Sequence, residues 1–405
     1  MGVREKETAL SREQRDQYER DGYLILDSTG PSEQVLDGAL EDIEPLYSPN
    51  AERVDKSGIR AVGPRVQEAW RASANVKALA LAPKILTALE ELYGRKPLPF
   101  QTLNFNVGSE QLPHSDAFHF NCVPSGFMCG AWVALEDIDM DNGPVMYFPG
   151  SQKLKEATWD DVGFDGSESD FASQGEYMTA RRAAYERYVE RVREENDYAE
   201  PDYATIRKGQ VLIWSSNLLH GGTPQKDPAR SRHSQVTHYF FEGVRSFNPM
   251  REIPGKQKFW TYPIIITPDR PQELTPQYLR EAIETDTEQG SIVLVASNGN
   301  QALLQLEGRE GWHFPRKEDG SFGERLESSE TAIAMLEDLH SKGARYIAWP
   351  GCTIHWFTEE WAVSGAPREP LRNGPPRSGL VRDLRPGGLV ASHHFITVRA
   401  SQGAT

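Results

Sequence analysis

The sequence predicts a mainly β protein with helices: an antiparallel barrel or sandwich carrying a helical insertion, followed by a small α/β unit. Three observations support this. Between residues 98 and 241 most apolar runs are strand-length and separated by Gly, Pro and Asn turns rather than by helices. From about 155 to 201 the chain is highly charged, with Tyr185, Tyr188, Val189 and Val192 at the spacing of one helical face. Beyond 286 strand patterns alternate with a helical pattern, as in a layered α/β unit.

Ser11, with Gln14 three positions on, is a capping-box pattern, and residues 14–21 read as a helix that stops at Gly22. Residues 23–26 form a short apolar strand, and 32–46 and 75–92 read as helices. Pro83 interrupts the latter, so a break is expected there with a fresh helix opening on the proline. Strands are expected at 100–107, 127–135, 145–148, 210–214 and 233–241, with Asp141-Asn142-Gly143-Pro144 as turn chemistry. The 155–201 insertion is read as a cover over the barrel mouth, the alternative being an amphipathic surface helix. In the last part, 291–296, 345–349 and 389–398 read as strands and 331–342 as a helix. The expected domains are therefore 1–285, insertion included, and 286–405.

A length of 405 residues suggests two or three domains, and 38% hydrophobic with 25% charged residues is a soluble globular composition. The formal net charge of −15 argues against a nucleic-acid binder, which needs basic faces to displace phosphate counterions, and against adhesion to an anionic membrane. A local arginine cluster can still hold an anionic substrate. Cys122, Cys129 and Cys352 form neither a C-x-x-C pair nor an even-numbered framework, so zinc and disulfide scaffolds are not expected. No apolar run approaches the roughly 20 residues of a membrane span, and the N-terminal segment lacks the apolar core of a signal peptide. A cytoplasmic setting is expected.

The chemistry concentrates in LPHSDAFHF, residues 112–120. On an extended segment His114 and Asp116 project to the same side. Two histidines and one carboxylate form the facial triad of non-haem iron oxygenases, but an H-x-D pair needs a distant third ligand. His220 supplies it at the end of the apolar strand GQVLIWSSNLLHGG, where Gly221 and Gly222 are expected to let the backbone turn sharply. His119 competes for this role, but its parity differs from that of His114 and Asp116, so it should point elsewhere if the strand continues. Arg232, at the start of RHSQVTHYFF, can grip a carboxylate through two parallel hydrogen bonds, and Ser234 on the same strand face can add a hydroxyl. Arg230 shares that parity; the Arg-x-Ser relation favours Arg232, which leaves Arg230 at the loop edge.

With these motifs in place, residues 10–250 resemble the phytanoyl-CoA dioxygenase family of Fe(II)/2-oxoglutarate-dependent oxygenases. The resemblance rests on LSREQRDQYERDGYLIL (10–26), HSD (114–116), AWVALEDIDMDNGPVMYFPGSQK (131–153), LLHGG (218–222) and RHSQVTHYF (232–240). It implies a double-stranded β-helix (jelly-roll, cupin-like) core and oxidation of a small-molecule substrate by dioxygen, with release of succinate and CO2. It also implies His114, Asp116 and His220 as Fe(II) ligands, Arg232 and Ser234 on the distal carboxylate of 2-oxoglutarate, and Asn104 as a further hydrogen bond to that co-substrate. Halogenases of the superfamily replace the carboxylate ligand by a small residue, so the presence of Asp116 favours hydroxylation or another oxidation.

Trp132 and Trp214 read as core. His238, in phase with Arg232, reads either as pocket-facing or as a satisfied interior histidine. The C-terminal part, with GWHFPRKEDGSF (311–322) and ARYIAWPGCTIHWF (344–357), resembles a small α/β module attached to carbohydrate- and cell-surface-related proteins. From it come the expectation of a polar substrate, sugar-containing or a natural-product intermediate, and a structural or protein-partner-docking role. His313 and His355 are too isolated to be assigned as ligands. Two further readings of the chain stand beside the oxygenase: a binding or scaffold barrel without catalysis, and a zinc-dependent cupin-like enzyme, which would have no need of Arg232.

Overall fold

Helix α1 (Arg12–Asp21) begins where the capping box sets it: Ser11 Oγ accepts from Gln14 N–H while the Gln14 side chain returns to Ser11 N–H. It ends at Gly22 in the left-handed region. The computed structural model describes residues 9–54, 60–63, 65–167, 170–198, 200–252, 261, 263–269, 272–273, 279–280, 283–284, 287–297, 299–323, 329–348 and 381–383. Its contacts divide the chain into two units, Met1–Gln272 and Glu273–Thr405, somewhat before the boundary expected from the sequence.

In the first unit, mostly sheet with helices, β1 (Tyr23–Leu26) leads to α2 (Glu33–Ile43) and to strands β2 (Ser48–Val54), β3 (Arg60–Gly63) and β4 (Arg65–Gln67). Helices α3 (Ala74–Ala80) and α4 (Pro83–Tyr93) are separated at the proline, which opens the second of them. Then follow β5 (Pro97–Phe105), β6 (Asn121–Val123), β7 (Met128–Ala134) and β8 (Val145–Tyr147). The insertion supplies α5 (Trp159–Val162) and α6 (Gln174–Glu195), and β9 (Asp202–Tyr203), β10 (Val211–Ser215), β11 (His220–Gly222), β12 (Ser234–Phe241), β13 (Arg245–Phe247) and the short strand Ile264–Ile265 follow.

The main sheet is antiparallel with eight strands in the order β1-β10-β7-β12-β5-β4-β3-β2, and a smaller sheet has the order β11-β8-β9. Side-chain alternation sorts the main sheet into two faces. Cys129, Ala131, Val133, Val211, Ile213, Tyr239 and Phe241 pack under the helices with Leu36, Leu79, Ile85 and Leu89. Trp132, Ala134, Leu212, Trp214, Phe105 and Val236 face the other way, against Val145, Tyr147 and Leu218. Strands β2 to β4 have no counterpart in the sequence reading. They extend the main sheet beyond β5 and bring Arg65 and Gln67 to the cavity described below.

In the second unit Ile292–Val295 pairs in parallel with Glu310–His313 on one side and Ala344–Ala348 on the other, and Val381–Asp383 pairs antiparallel at the edge. Helix Ser329–Ser341 contributes Ala332, Leu336 and Leu339 to a core with Leu294, Phe314 and Ile347. His313 is buried, with Ser297 Oγ at 2.5 Å from Nδ1 and Gln301 Oε1 at 3.1 Å from Nε2, a satisfied interior histidine. The expected strand 389–398 and His355 lie outside the described residues. Among the described residues no helix is long and apolar enough to cross a membrane.

Candidate active site

The site is built where two distant segments meet. The backbone of His114 donates to His220 C=O at 2.9 Å, His220 N–H returns to His114 C=O at 3.0 Å, and Gly222 N–H reaches Gln111 C=O at 2.9 Å. This pairing needs the two glycines. A Cβ at Gly221 would lie 2.6 Å from Gln111 O, and one at Gly222 would lie 2.7 Å from Glu110 N. Neither has a positive φ, so close approach of the 110–112 backbone, rather than the expected sharp turn, is their physical role.

After His114 the chain leaves the extended conformation. Ser115 Oγ caps Ala117 N–H at 3.2 Å and donates to Asn217 Oδ1 at 2.9 Å, and Asp116–Phe118 form a tight 3-10 turn. One ligand-capable atom from each of His114, Asp116 and His220 lies within 4.8 Å of the others. His114 Nε2 is 3.9 Å from Asp116 Oδ1, and His220 Nε2 is 3.7 Å from Oδ2. Each imidazole has its Nδ1 2.9 Å from the carbonyl two residues earlier, Leu112 O and Leu218 O. A carbonyl can only accept, so Nδ1 carries the proton and Nε2 presents its lone pair to the centre.

Burial, reinforced by His220, lowers the His114 pKa to about 4, so its imidazole is neutral near pH 7. For Asp116 burial opposes ionisation. The neighbouring His220, His238 and His114 outweigh it and hold the carboxyl well below its usual range. Neutral imidazoles and an ionised carboxylate are the protonation states in which such groups bind a divalent cation.

The 3-10 turn also changes the expected place of His119. Because the strand does not continue past Asp116, parity no longer holds, and the His119 ring lies 5.9 Å from that of His114 on the cavity wall. His238 satisfies both of its readings: it is buried, its Nδ1 is 3.0 Å from Gln101 Oε1, and its Nε2 is 3.5 Å from Asp116 Oδ2. Trp214 goes beyond the core role expected of it, since its indole N–H donates to Asp116 Oδ2 at 2.8 Å. The alternation that pairs Trp214 with Leu212, opposite to Val211 and Ile213, was the signal that could have placed it at the site.

These groups line a cavity of about 470 Å³. At one end lies Arg232, 2% exposed, its guanidinium donating to Ser234 Oγ at 2.9 Å and lying 5.6 and 5.4 Å from the rings of Phe105 and Trp132. Among the described residues no carboxylate ion-pairs with it, and its Nε and the indole N–H of Trp132 are buried without partners. Burial lowers the Arg232 pKa to about 10, which still leaves a full positive charge near neutrality. A buried, unneutralised guanidinium is costly unless an anion completes it. Arg230 sits apart, its Nη1 2.8 Å from both carboxylate oxygens of Asp139.

Asn104 is not part of this group. On β5 the side chains of Gln101, Leu103 and Phe105 line the cavity, so alternation turns Asn104 to the helix-covered face, where its Nδ2 donates to Gln235 Oε1 at 3.3 Å. Gln235 in turn donates to Val76 C=O of α3 at 3.0 Å. The structure thus turns Asn104 away from the cavity in which its hydrogen bond to the co-substrate was expected.

The insertion supplies the other wall: Met178, Thr179, Arg182, Tyr185 and Glu186 of α6 line the cavity. Tyr185 Oη accepts Ser115 N–H at 3.0 Å, between His114 and Asp116, and its ring stacks on Phe118 at 4.0 Å with planes 4° apart. Phe118, Phe148, Trp159, Val189 and Leu219 form the apolar cluster that holds the two helices there.

A family model described as Phytanoyl-CoA dioxygenase (PhyH) matches residues 18–234. The chain is 33% identical over 79 residues to Phytanoyl-CoA dioxygenase domain-containing protein 1 of Danio rerio and 29% identical over 79 residues to that of Mus musculus. Each match covers 18% of this chain and 27% of the relative, so the chain spans about a quarter of the length of these curated relatives. Among solved structures it is similar to the non-haem alpha-ketoglutarate-dependent epimerase SnoN from nogalamycin biosynthesis, with 21% identity, 65% of this chain and 97% of that one covered, and a TM-score of 0.43. It is also similar to EctD from S. alaskensis, with 19% identity, 62% and 84% covered, and a TM-score of 0.45.

Proposed function

The chain belongs to the phytanoyl-CoA dioxygenase (PhyH) family, and from that premise we propose that it is an Fe(II)- and 2-oxoglutarate-dependent oxygenase of a polar small molecule. In this reading His114, Asp116 and His220 hold the iron, and Arg232 with Ser234 holds the distal carboxylate of 2-oxoglutarate. The observation that carries it is the buried Arg232, without an acidic partner among the described residues, in the same cavity as the three proposed ligands. A zinc-dependent enzyme would have no use for that cation. Two antiparallel sheets with the cavity's ligating groups at their junction support a double-stranded β-helix core.

The bound iron would supply dioxygen activation, coupled to conversion of 2-oxoglutarate to succinate and CO2. The chain's own residues set the conditions. Leu112 and Leu218 carbonyls orient the two imidazoles, Arg232 and Ser234 fix one end of the co-substrate, and α6 covers the open side against water. Gln67, Gln111, Thr179, Arg182, Glu186 and Asn248 on the remaining walls fit a substrate rich in hydroxyl or amide groups, such as a sugar-containing or natural-product intermediate.

The test is spectroscopic before it is catalytic. Under argon, Fe(II) and 2-oxoglutarate together should produce a visible charge-transfer band that neither produces alone. A panel of polar small molecules should then be screened for stimulated succinate release, with mass spectrometry of the product. Absence of the band with iron demonstrably bound would remove 2-oxoglutarate from the reading.

A further inference from the structure

Trp214 occupies a position that the glycine opposite it opens. On β10 it stands opposite Gly130 of β7, and a Cβ at position 130 would lie 2.4 Å from the indole ring. The missing side chain lets the ring lie flat against β7, tilted over His220 at 4.7 Å between centroids, with its N–H on Asp116 Oδ2 at 2.8 Å. That oxygen also lies 3.7 Å from His220 Nε2 and 3.5 Å from His238 Nε2, whereas Oδ1 faces His114 Nε2 at 3.9 Å. By distance alone a cation among the three groups could reach either oxygen, or both.

We propose that Trp214 is the positioning residue of the ligating carboxylate: its indole hydrogen bond reserves Oδ2, so that Asp116 meets the metal through Oδ1 alone. The inference rests on the reading of His114, Asp116 and His220 as a metal centre. Its chemical consequence concerns the open positions. A carboxylate bound through both oxygens would take a coordination position that co-substrate or dioxygen needs, and an oxygen already accepting a charge-assisted hydrogen bond is a poorer second ligand. The same bond holds the carboxylate plane against rotation, as outer hydrogen bonds to metal ligands do elsewhere.

The experiment is anaerobic titration of the full chain with Fe(II), and with Co(II) for its visible spectrum, in wild type, Trp214→Phe and Trp132→Phe. Trp132→Phe removes an indole from the same core, but one whose N–H has no partner among the described residues. Trp214→Phe should weaken Fe(II) binding by about 10- to 100-fold and alter the Co(II) spectrum. Trp132→Phe should leave both near wild type. If Trp214→Phe does not fold, β-(3-benzothienyl)alanine at position 214, which keeps the ring shape and replaces N–H by sulfur, carries the same expectation. Unchanged affinity and spectrum on loss of the N–H would overturn the proposal, as would an equal loss in Trp132→Phe, which would mark general loosening of the core. Failure of the wild type to bind Fe(II) would instead overturn the metal-centre reading itself.

Discussion

His114 and His220 exchange both of their backbone hydrogen bonds, at 2.9 and 3.0 Å, so the two imidazoles of the site are fixed to each other through the main chain and not only through whatever they bind. Their rings lie 4.6 Å apart, with each Nδ1 spent on its own carbonyl. The main chain thus sets the spacing of the two imidazoles.

Removal of any one ligating side chain should then abolish metal binding without unfolding the protein. His114→Ala, Asp116→Ala and His220→Ala are each expected to lose Fe(II) binding and turnover, since two remaining ligands hold neither affinity nor facial geometry. His119→Ala should bind iron nearly as wild type, because His119 lies outside the three-residue group. Anaerobic titrations giving equal losses for His119→Ala and His114→Ala would refute the assignment.

Gly221→Ala tests the pairing itself. The added methyl would meet the Gln111 carbonyl oxygen at 2.6 Å, and backbone cannot move aside as a side-chain tip can. Overpacking of this kind typically costs about 1–3 kcal/mol. The variant should melt at lower temperature and bind iron more weakly, the segment carrying His114 having been pushed off β11. A melting curve and titration both matching wild type would show that the pairing is not tight in solution.

Arg232 and Arg230 should differ sharply. Loss of a charge-assisted hydrogen bond removes roughly 1.5–3 kcal/mol, so Arg232→Ala should raise the KM for 2-oxoglutarate by about one to two orders of magnitude. Arg232→Lys should recover only part of this, because an ammonium lacks the planar fork. Arg230→Ala loses only a surface pair with Asp139 and should change little. Iron affinity without 2-oxoglutarate should be unchanged in all three. If neither alanine variant shifts the KM, 2-oxoglutarate is not the co-substrate.

The residue beside Arg232 introduces a pH dependence of stability. His233 Nδ1 lies 3.0 Å from Glu136 Oε1 and Nε2 lies 3.5 Å from Glu44 Oε2. The hydrogen bond to Glu136 raises the His233 pKa above its usual 6.5. Its stabilisation is therefore complete below about 6.5 and is lost as pH rises through the folded value. Burial pushes Glu136 up, but bonds from His233 and Ser231 outweigh it and hold it below 4.5. That contribution is present above about 4.5 and disappears as pH falls through the folded value. The melting-temperature deficit of His233→Gln should thus be largest near pH 5 to 6 and shrink by pH 8. A deficit that grows with pH would invert the argument.

Much of the site could be read from residue order because the strands obey a period of two. The parity of Arg232, Ser234 and His238, the two apolar faces of β7 and β10, and the break at Pro83 all follow from local rules that tertiary packing did not override. The role that the family resemblance implies for Asn104 runs against that same parity, which puts Gln101, Leu103 and Phe105 on the cavity side. His119 stays outside the three-residue group as expected, but it lies on the cavity wall because the continuing strand on which its parity depended ends where Ser115 caps a 3-10 turn. Strands β2 to β4 went unread because Ser48–Val54 and Arg60–Gly63 have little apolar alternation and are paired side by side with their neighbours. The indole bond to Asp116 depends on Gly130 and Trp214 meeting across a strand pair, which no single stretch of sequence contains.

Helix α6, which lines one wall of the cavity, has a split constitution with an evolutionary consequence. Tyr185 is tied by its hydroxyl to the loop between His114 and Asp116, while Met178, Thr179 and Glu186 border the cavity and Arg182 lies close enough for its charge to bear on His114. In the proposed reading Met178, Thr179 and Glu186 can therefore vary with less effect on the reaction than Tyr185 or Arg182. On that reading the metal-holding residues and the choice of substrate reside on segments that mutation can address separately. New substrates would then be reachable by changes along one face of a single helix, and a library randomised at those three positions is the natural starting point for redirecting this scaffold.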